Sequence, residues 1–124
     1  MAEDKADPQV VSAILRGVSG SASAAHRQEL LTAVLDHPVS LRSDILAAIA
    51  GRLWESLTDA ALSRRFLEQL SGNDQDQAFF DQILSDLLYM ETNRTPLLAC
   101  LRDPDRSPRL GVAIGAFFTR LKQG

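Results

Sequence analysis

The sequence predicts an all-α fold, a compact bundle of six to seven short helices packed antiparallel. Apolar residues recur three and four positions apart in each segment between turn signals, which is the spacing of an amphipathic helix. Pairs of a capping residue and proline mark helix starts, because the capping side chain accepts a backbone N–H and proline fits the first helical position. No segment alternates between apolar and polar residues as a half-buried strand does, so we assign no strands.

Three helices are predicted in the first half of the chain. The first starts at Asp7-Pro8 and carries Val10, Val11, Ile14, Leu15 and Val18. The second carries Leu30, Leu31, Val34 and Leu35, and His37-Pro38 ends it because the residue before a proline avoids the helical region. The third has an apolar residue at every fourth position, at Leu41, Ile45, Ile49, Leu53 and Leu57.

Four more helical segments follow in the second half. The fourth starts at Thr58-Asp59, carries Leu62, Phe66 and Leu70, and stops at Ser71-Gly72. The fifth follows a predicted capping box of Asp74 and Gln77 and carries Phe79, Phe80, Ile83, Leu84, Leu87 and Leu88. The sixth starts at Thr95-Pro96, and the last starts at Ser107-Pro108 and carries Leu110, Ala113, Ile114, Phe117, Phe118 and Leu121.

Length and composition are those of one ordinary globular domain. The chain has 124 residues, of which 45% are apolar and 23% charged. A domain of this size buries roughly two-thirds of the surface of its unfolded chain, enough to fold without disulfides. We expect a disordered tail over residues 1–6 and a single helical domain over residues 7–124. Weak similarity between its helices leaves open a superhelix of helix pairs, as in HEAT, armadillo or TPR proteins.

The sequence contains no signal for a membrane or for export. No run approaches the ~18 apolar residues that span a bilayer. The acidic start, Met1 to Asp7, lacks the basic and then apolar pattern of a secretory signal. Since the single cysteine, Cys100, also fits a reducing compartment, we expect a cytoplasmic protein.

Catalytic, metal and cofactor motifs are missing from the sequence. Cys100 lies in an apolar run, whereas a reactive thiol needs a nearby cation or helix N-terminus. His26 and His37 are eleven residues apart and cannot share one helix face as the ligands of a zinc motif do. We therefore expect no enzyme, no catalytic residue, no cofactor and no metal. An enzyme whose site forms no motif remains an alternative.

The charge is unevenly distributed, although its net value is only −3. Residues 73–92 carry five acidic residues and no Lys or Arg, and the basic residues after Arg94 outnumber the acidic ones. We expect these regions to pair with each other or to form the polar rim of a partner site. Binding of nucleic acid by the arginine-rich C-terminal end is an alternative that the acidic composition does not favour.

Small residues form a second pattern, in Ala47-Ala-Ile-Ala-Gly51 and Gly111-Val-Ala-Ile-Gly-Ala116. A glycine inside a helix costs about 1 kcal/mol relative to alanine, so close helix packing is expected to offset it. The simpler interpretation is that the third and last helices pack on each other within the chain. The alternative is a face that packs on another chain, as a homodimer or on a partner helix.

These observations together favour a non-enzymatic protein–protein interaction module of the adaptor, chaperone or inhibitor type. We expect a helical face or groove to bind an apolar segment of another protein, with charged residues setting the register. Aromatic residues at the margin of an apolar stripe are typical anchors of such faces. The predicted partner-binding residues are Trp54, Phe79, Phe80, Arg106, Arg109, Phe117, Phe118 and Arg120.

Overall fold

Six α-helices and no strand are found in the part of the chain that the structure, a computed structural model, describes: residues 9–10, 13–14, 17 and 23–123. The helices are α1 (Ala24–Leu35), α2 (Ser43–Arg52), α3 (Ala60–Ser71), α4 (Gln77–Tyr89), α5 (Glu91–Leu101) and α6 (Pro108–Gln123). Short 3-10 turns at Pro38–Leu41 and Ser56–Thr58 flank α2. The predicted all-α class is therefore confirmed.

Helix α3 lies at the centre, because it packs against each of the other five helices. Its side chains Phe66, Leu67 and Leu70 are fully buried, as the stripe of the fourth predicted helix requires. The other helices turn their apolar stripes towards it and form one continuous core. This packing makes the described part of the chain a compact domain, and no repeat is evident in it.

Several predicted helix boundaries are confirmed. Asp59 caps α3, since its Oδ1 accepts from the backbone N–H groups of Ala61 at 2.9 Å and Leu62 at 3.2 Å. Ser107 caps α6 through a 3.1 Å bond from the Leu110 N–H to its Oγ. The side chain of His37 accepts from Val39 N–H at 3.0 Å and so caps the 3-10 turn that follows α1.

The predicted capping box at Asp74 and Gln77 is wrong. The cap of α4 is Asp76, whose Oδ1 accepts from Phe79 N–H at 3.0 Å. Asp74 instead accepts from Ser43 N–H at 2.9 Å. Asp74 thus caps the N-terminus of α2. The residue at the N-cap position of that helix, Arg42, provides no side-chain cap itself.

The predicted start of the sixth helix at Thr95-Pro96 is also wrong. Helix α5 begins at Glu91, so Met90 alone separates it from α4, and Pro96 lies inside the helix. An α-helical N–H at position 96 would bond to the carbonyl of Thr92, four residues earlier. Because Thr92 is exposed, water can satisfy that carbonyl, and the helix tolerates the proline.

The third predicted helix is divided into three elements. Its stripe from Leu41 to Leu57 runs through the first 3-10 turn, α2 and the second 3-10 turn. The chain leaves the helix at Leu53, whose ψ is 22°, and the carbonyl of the next residue, Trp54, accepts from Asn93 Nδ2 at 2.8 Å. Leu53 and Leu57 are nevertheless buried as predicted.

The N-terminal predictions fall largely outside the described residues. This applies to the tail over residues 1–6, to the helix start at Asp7-Pro8, and to Val11, Leu15 and Val18. Val10 and Ile14 are described and helical, with 53% and 45% of their surface exposed. Among the described residues, no helix combines the length and the apolar character needed to cross a bilayer.

Candidate functional site

An open apolar groove lies between the C-terminal halves of α2 and α4. It has a volume of about 480 Å³, within the range of 300–1,000 Å³ that is typical of binding clefts. Its lining residues are Ala47, Ala50, Gly51, Ile83, Asp86, Leu87, Tyr89 and Met90. We call this feature the α2–α4 groove.

Small side chains on α2 form one wall of this groove. Ala47 and Gly51 are exposed, and a Cβ added to Gly51 would meet no atom within 4 Å. The same is true of Gly115 on α6. The simpler interpretation, in which these glycine-bearing faces pack on each other within the chain, is therefore wrong at both positions. At Gly51 the space is the groove itself.

The other wall comes from the end of α4. Ile83 and Leu87 are buried at its base, and Tyr89 stands at its end with 87% of its surface exposed. Two backbone bonds close the joint to α5: Met90 N–H donates to Leu87 O at 3.1 Å and Asn93 N–H to Met90 O at 3.0 Å. Tyr89 is thus an exposed aromatic residue among the lining residues of an apolar groove.

The edge of the groove is acidic. Asp86 lines it and accepts from Gln82 Nε2 at 3.0 Å, and Glu91 follows the groove residue Met90 as an exposed side chain. Residues 73–92 contain no basic residue, but Arg52 follows the groove residue Gly51, and Arg94 donates from Nε to the Leu88 carbonyl at 3.0 Å. Asp86 and Glu91 could each pair with a cationic group on whatever binds there.

The opposite side of α4 is held to α6 by polar bonds. Gln77 Nε2 donates to the Ala113 carbonyl at 3.0 Å and to Asp81 Oδ1 at 2.8 Å. Arg120 Nη1 lies 3.0 Å from Asp81 Oδ2. We call this the α4–α6 contact. It leaves a smaller cleft of about 310 Å³, in which these charges already pair within the chain.

The predicted aromatic anchors fall into three groups by burial. Phe80 and Phe117 are core residues with 1% and 2% of their surface exposed. Trp54 and Phe79 are half-buried against the core. Phe118 is 42% exposed, and its ring meets that of Phe117 edge-on with centroids 5.5 Å apart. None of these five residues lines the α2–α4 groove.

The predicted rim arginines bond to groups of their own chain. Arg106 Nη1 donates to the Asp103 carbonyl at 3.0 Å, within the loop before α6. Arg109 Nη2 donates to the Glu68 carbonyl at 2.7 Å and so caps the C-terminus of α3. Arg120 pairs with Asp81, which confirms the expected pairing of acidic and basic regions at this one pair.

Cys100 and the two histidines lie on different elements of the fold. The Cys100 thiol is buried and donates to the Ala60 carbonyl at 3.4 Å, and burial, aided by the Asp103 carboxylate, raises its pKa. Of the histidines, His26 is exposed near the start of α1 and His37 caps the following turn. Among the described residues, no group of three or more His, Cys, Asp or Glu side chains could hold a metal ion.

Three residues that shape the site were not predicted from the sequence. Tyr89 and Met90 lie where the α4 stripe ends, and the only usable signal was an aromatic residue at a helix end. Asn93 has no exposed surface, and its Nδ2 donates to the Trp54 carbonyl, which fixes α5 against the segment after α2. A polar residue beside the expected helix start gave no sign that it would be buried.

Comparison with known proteins gives one finding, a match to a family model. No curated protein and no solved structure matches it. A family model described as "Protein of unknown function (DUF3549)" matches residues 1–118, nearly the whole sequence, and the chain therefore belongs to this family.

Proposed function

We propose that this protein is a non-enzymatic protein–protein interaction module whose α2–α4 groove binds an amphipathic helix of another protein. The observation that carries the proposal is an open, apolar cleft with Tyr89 standing 87% exposed at its edge. Large aromatic side chains are enriched among residues that dominate binding energy at interfaces. A tyrosine beside an apolar cleft offers a partner both an apolar ring and a hydroxyl group.

The shape of the groove fits a helix better than a flat partner. Ala47, Ala50 and Gly51 give one wall without protruding side chains, so a second helix could approach its backbone closely. Helix-in-groove recognition uses apolar residues three and four positions apart as anchors. We therefore expect a partner segment with two or three large apolar residues at that spacing.

The charges at the groove edge define the rest of the partner. Asp86 and Glu91 favour Lys or Arg on the flank of the bound helix. Such rim charges mainly raise the association rate and set the register, while the apolar contacts supply the affinity. The partner segment is accordingly a basic amphipathic helix. An acidic segment would be repelled.

The alternatives have less support. Binding of nucleic acid draws on Arg106, Arg109 and Arg120, whose side chains already contact carbonyl groups or Asp81. A homodimer through the glycine-bearing faces and a helix-pair superhelix stay predictions, as does an enzyme without a visible motif.

The test is affinity capture from the source cells with three forms of the protein. The wild type is compared with Ala47→Glu, which places a carboxylate in the groove, and with Ala99→Glu, a matched change at an exposed alanine of α5. We expect at least one protein to be captured by the wild type and Ala99→Glu and to be lost with Ala47→Glu. Its helical segment is then titrated as a purified peptide.

The expected affinity of that peptide is in the micromolar range, with a loss of about tenfold or more on Ala47→Glu, since the larger charged side chain would fill the groove and lose water against the apolar face of the peptide. Capture that is the same for Ala47→Glu and the wild type would contradict the proposal. So would a captured segment without a basic, amphipathic pattern.

A further inference from the structure

We propose that the outer face of α6 binds a second copy of this chain, as an antiparallel helix pair with a two-fold axis beside Gly115. This contact uses a different surface from the α2–α4 groove and does not depend on the proposed function. It is drawn from the exposed apolar residues of α6, from the room beside its glycines and from the charges at its two ends.

The side of α6 that faces away from the core carries large apolar side chains. Val112 is 74% exposed and Phe118 is 42% exposed, although α6 already buries an apolar stripe against α3 and α4. Helical spacing puts these two side chains on opposite flanks of Gly115, about one turn before it and one turn after it. Contiguous exposed apolar residues on a folded domain are typical of an interaction surface.

The glycines of this face leave room for the backbone of a second helix. A Cβ added at Gly115 would meet no atom within 4 Å, and one added at Gly111 would meet only the Arg106 side chain, 3.5 Å away. Packed helices lie 8–10 Å apart, depending on the side chains between them, and glycine permits the shortest of these distances. At such a distance, large side chains on one helix can enter the spaces above the glycines of the other.

An antiparallel pair with its two-fold axis beside Gly115 makes this face complementary to itself. The symmetry brings Phe118 over Gly111 of the second copy. It also brings Val112 against the methyl group of Thr119 of the second copy. Each of these contacts occurs twice, and each joins a larger side chain to a smaller one.

A fixed cation lies beside the position that Phe118 of the second copy takes. Arg106 flanks Gly111, and its Nη1 donates to the carbonyl groups of Asp103 at 3.0 Å and Leu101 at 3.4 Å. A guanidinium group near an aromatic ring is attracted to the face of that ring. This contact favours an aromatic occupant above Gly111, and α6 itself supplies one.

The charges at the two ends of α6 favour the antiparallel arrangement. Asp105 precedes the helix and Lys122 lies in its last turn; both are exposed, and neither forms an ion pair within the described part of the chain. An antiparallel pair brings Lys122 of each copy near Asp105 of the other and opposes the two helix dipoles. A parallel pair would instead put the two Lys122 side chains together.

The size of the contact predicts a weak dimer. Helix α6 has 16 residues and is about 24 Å long, so pairing along its length would bury on the order of 500 Å² of each copy. The total, about 1,000 Å², lies at the lower end of specific interfaces, where complexes are transient. We therefore expect a dissociation constant in the micromolar range.

The first experiment is sedimentation equilibrium of the full-length protein over about 1–300 µM. The wild type is compared with Gly115→Glu, which places two carboxylates at the two-fold axis, and with Ala99→Glu, the matched change at an exposed alanine of α5. Since the space at Gly115 is open, Gly115→Glu should keep the circular dichroism of the wild type. Phe118→Ala is a second variant, at a partly exposed side chain.

We expect a monomer–dimer equilibrium for the wild type and for Ala99→Glu. Gly115→Glu and Phe118→Ala should each raise the dissociation constant at least about tenfold. A wild type that stays monomeric up to 300 µM overturns the proposal. A dimer that both α6 variants leave unchanged does so too, because it must then form through another surface.

The second experiment tests the orientation of the two helices. Chains with Val112→Cys are mixed with chains with Thr119→Cys and oxidised, and the disulfides between copies are counted by mass spectrometry; Cys100 is buried in both. The antiparallel pair brings positions 112 and 119 of different copies together, so the mixed disulfide should exceed both symmetric ones. An excess of symmetric disulfides, or none of any kind, would contradict the antiparallel arrangement.

Discussion

The two sides of α4 are built in contrasting ways. On the α6 side, Gln77 bonds to Asp81 and to the Ala113 carbonyl, and Arg120 pairs with Asp81. On the α2 side, small residues face a groove of about 480 Å³, and within the described residues no hydrogen bond joins α2 to α4 directly. One helix is thus fixed to one neighbour and open towards the other.

This difference suggests that the α6 side of α4 serves stability and that the α2 side serves the proposed recognition. Hydrogen bonds and ion pairs have strict geometry, so the α4–α6 contact has one arrangement, which another segment could not easily reproduce. An apolar surface without such bonds can accept any segment of suitable shape. The following variants test this contrast, beginning with the largest expected effect.

Truncation of each of the two adjacent aromatic residues on α6 should show that one belongs to the core and the other to the surface. Phe117→Ala is expected to lower the free energy of unfolding by about 3–5 kcal/mol, because it leaves a cavity in the core. Phe118→Ala should cost less than about 1 kcal/mol, since its ring is 42% exposed. Urea denaturation measures both. Equal losses would mean that the α4–α6 contact extends to Phe118.

Loss of the Asp81 carboxylate should weaken the α4–α6 contact. Asp81→Ala removes the partner of Gln77 and of Arg120, and we expect a loss of about 1–2 kcal/mol in the free energy of unfolding. Asp86→Ala, at the edge of the α2–α4 groove, is the matched control and should cost only a few tenths of that. If the two losses are similar, the two sides of α4 do not differ as described.

Addition of a methyl group at a helical glycine with free space around it should stabilise the protein. Gly51→Ala and Gly115→Ala are expected to raise the free energy of unfolding by about 0.5–1 kcal/mol each, since nothing lies within 4 Å of the new Cβ. Gly72→Ala is the contrasting case, because its Cβ would overlap the Arg109 guanidinium. Destabilisation by Gly51→Ala, measured by denaturation, would show that the groove is already filled in the folded chain.

The smallest expected effect is a pH-dependent change in stability caused by the buried thiol of Cys100. Burial raises the pKa of its thiol in the folded protein, so the unfolded chain loses the proton first. Stability is therefore complete below the unfolded pKa of about 8.5 and decreases as the pH rises through the folded value. We expect the thermal midpoint of the wild type to fall more between pH 8 and 10 than that of Cys100→Ala. A parallel fall would contradict a protected thiol.

Much of the fold could be predicted from the sequence, because helix stripes and caps are local. The caps Asp59 and Ser107 each bond to the helix that directly follows them, and the apolar stripe of α4 lies within that helix. The failures involve distant partners. Asp74 caps a helix thirty-one residues away, and Asn93 is buried by its bond to Trp54 across a separation of thirty-nine.

The candidate site was only half predictable for the same reason. The small residues from Ala47 to Gly51 were recognised as a packing face, but their exposure depends on what α4 leaves uncovered. Phe80 and Phe117 were expected to offer anchors, yet they complete the core. Composition identifies apolar residues, and only the packing of whole helices decides which of them remain at the surface.

The central claim is that the α2–α4 groove, and not the α4–α6 contact, is the binding surface. The most direct test is an NMR titration of the labelled protein with the captured helical segment. We predict that the amide shifts cluster at Ala47, Gly51, Tyr89 and Met90, while those of Ala78, Ser85 and Leu121 stay unchanged. Shifts that cluster along Ala78, Ser85 and Leu121 instead would contradict it.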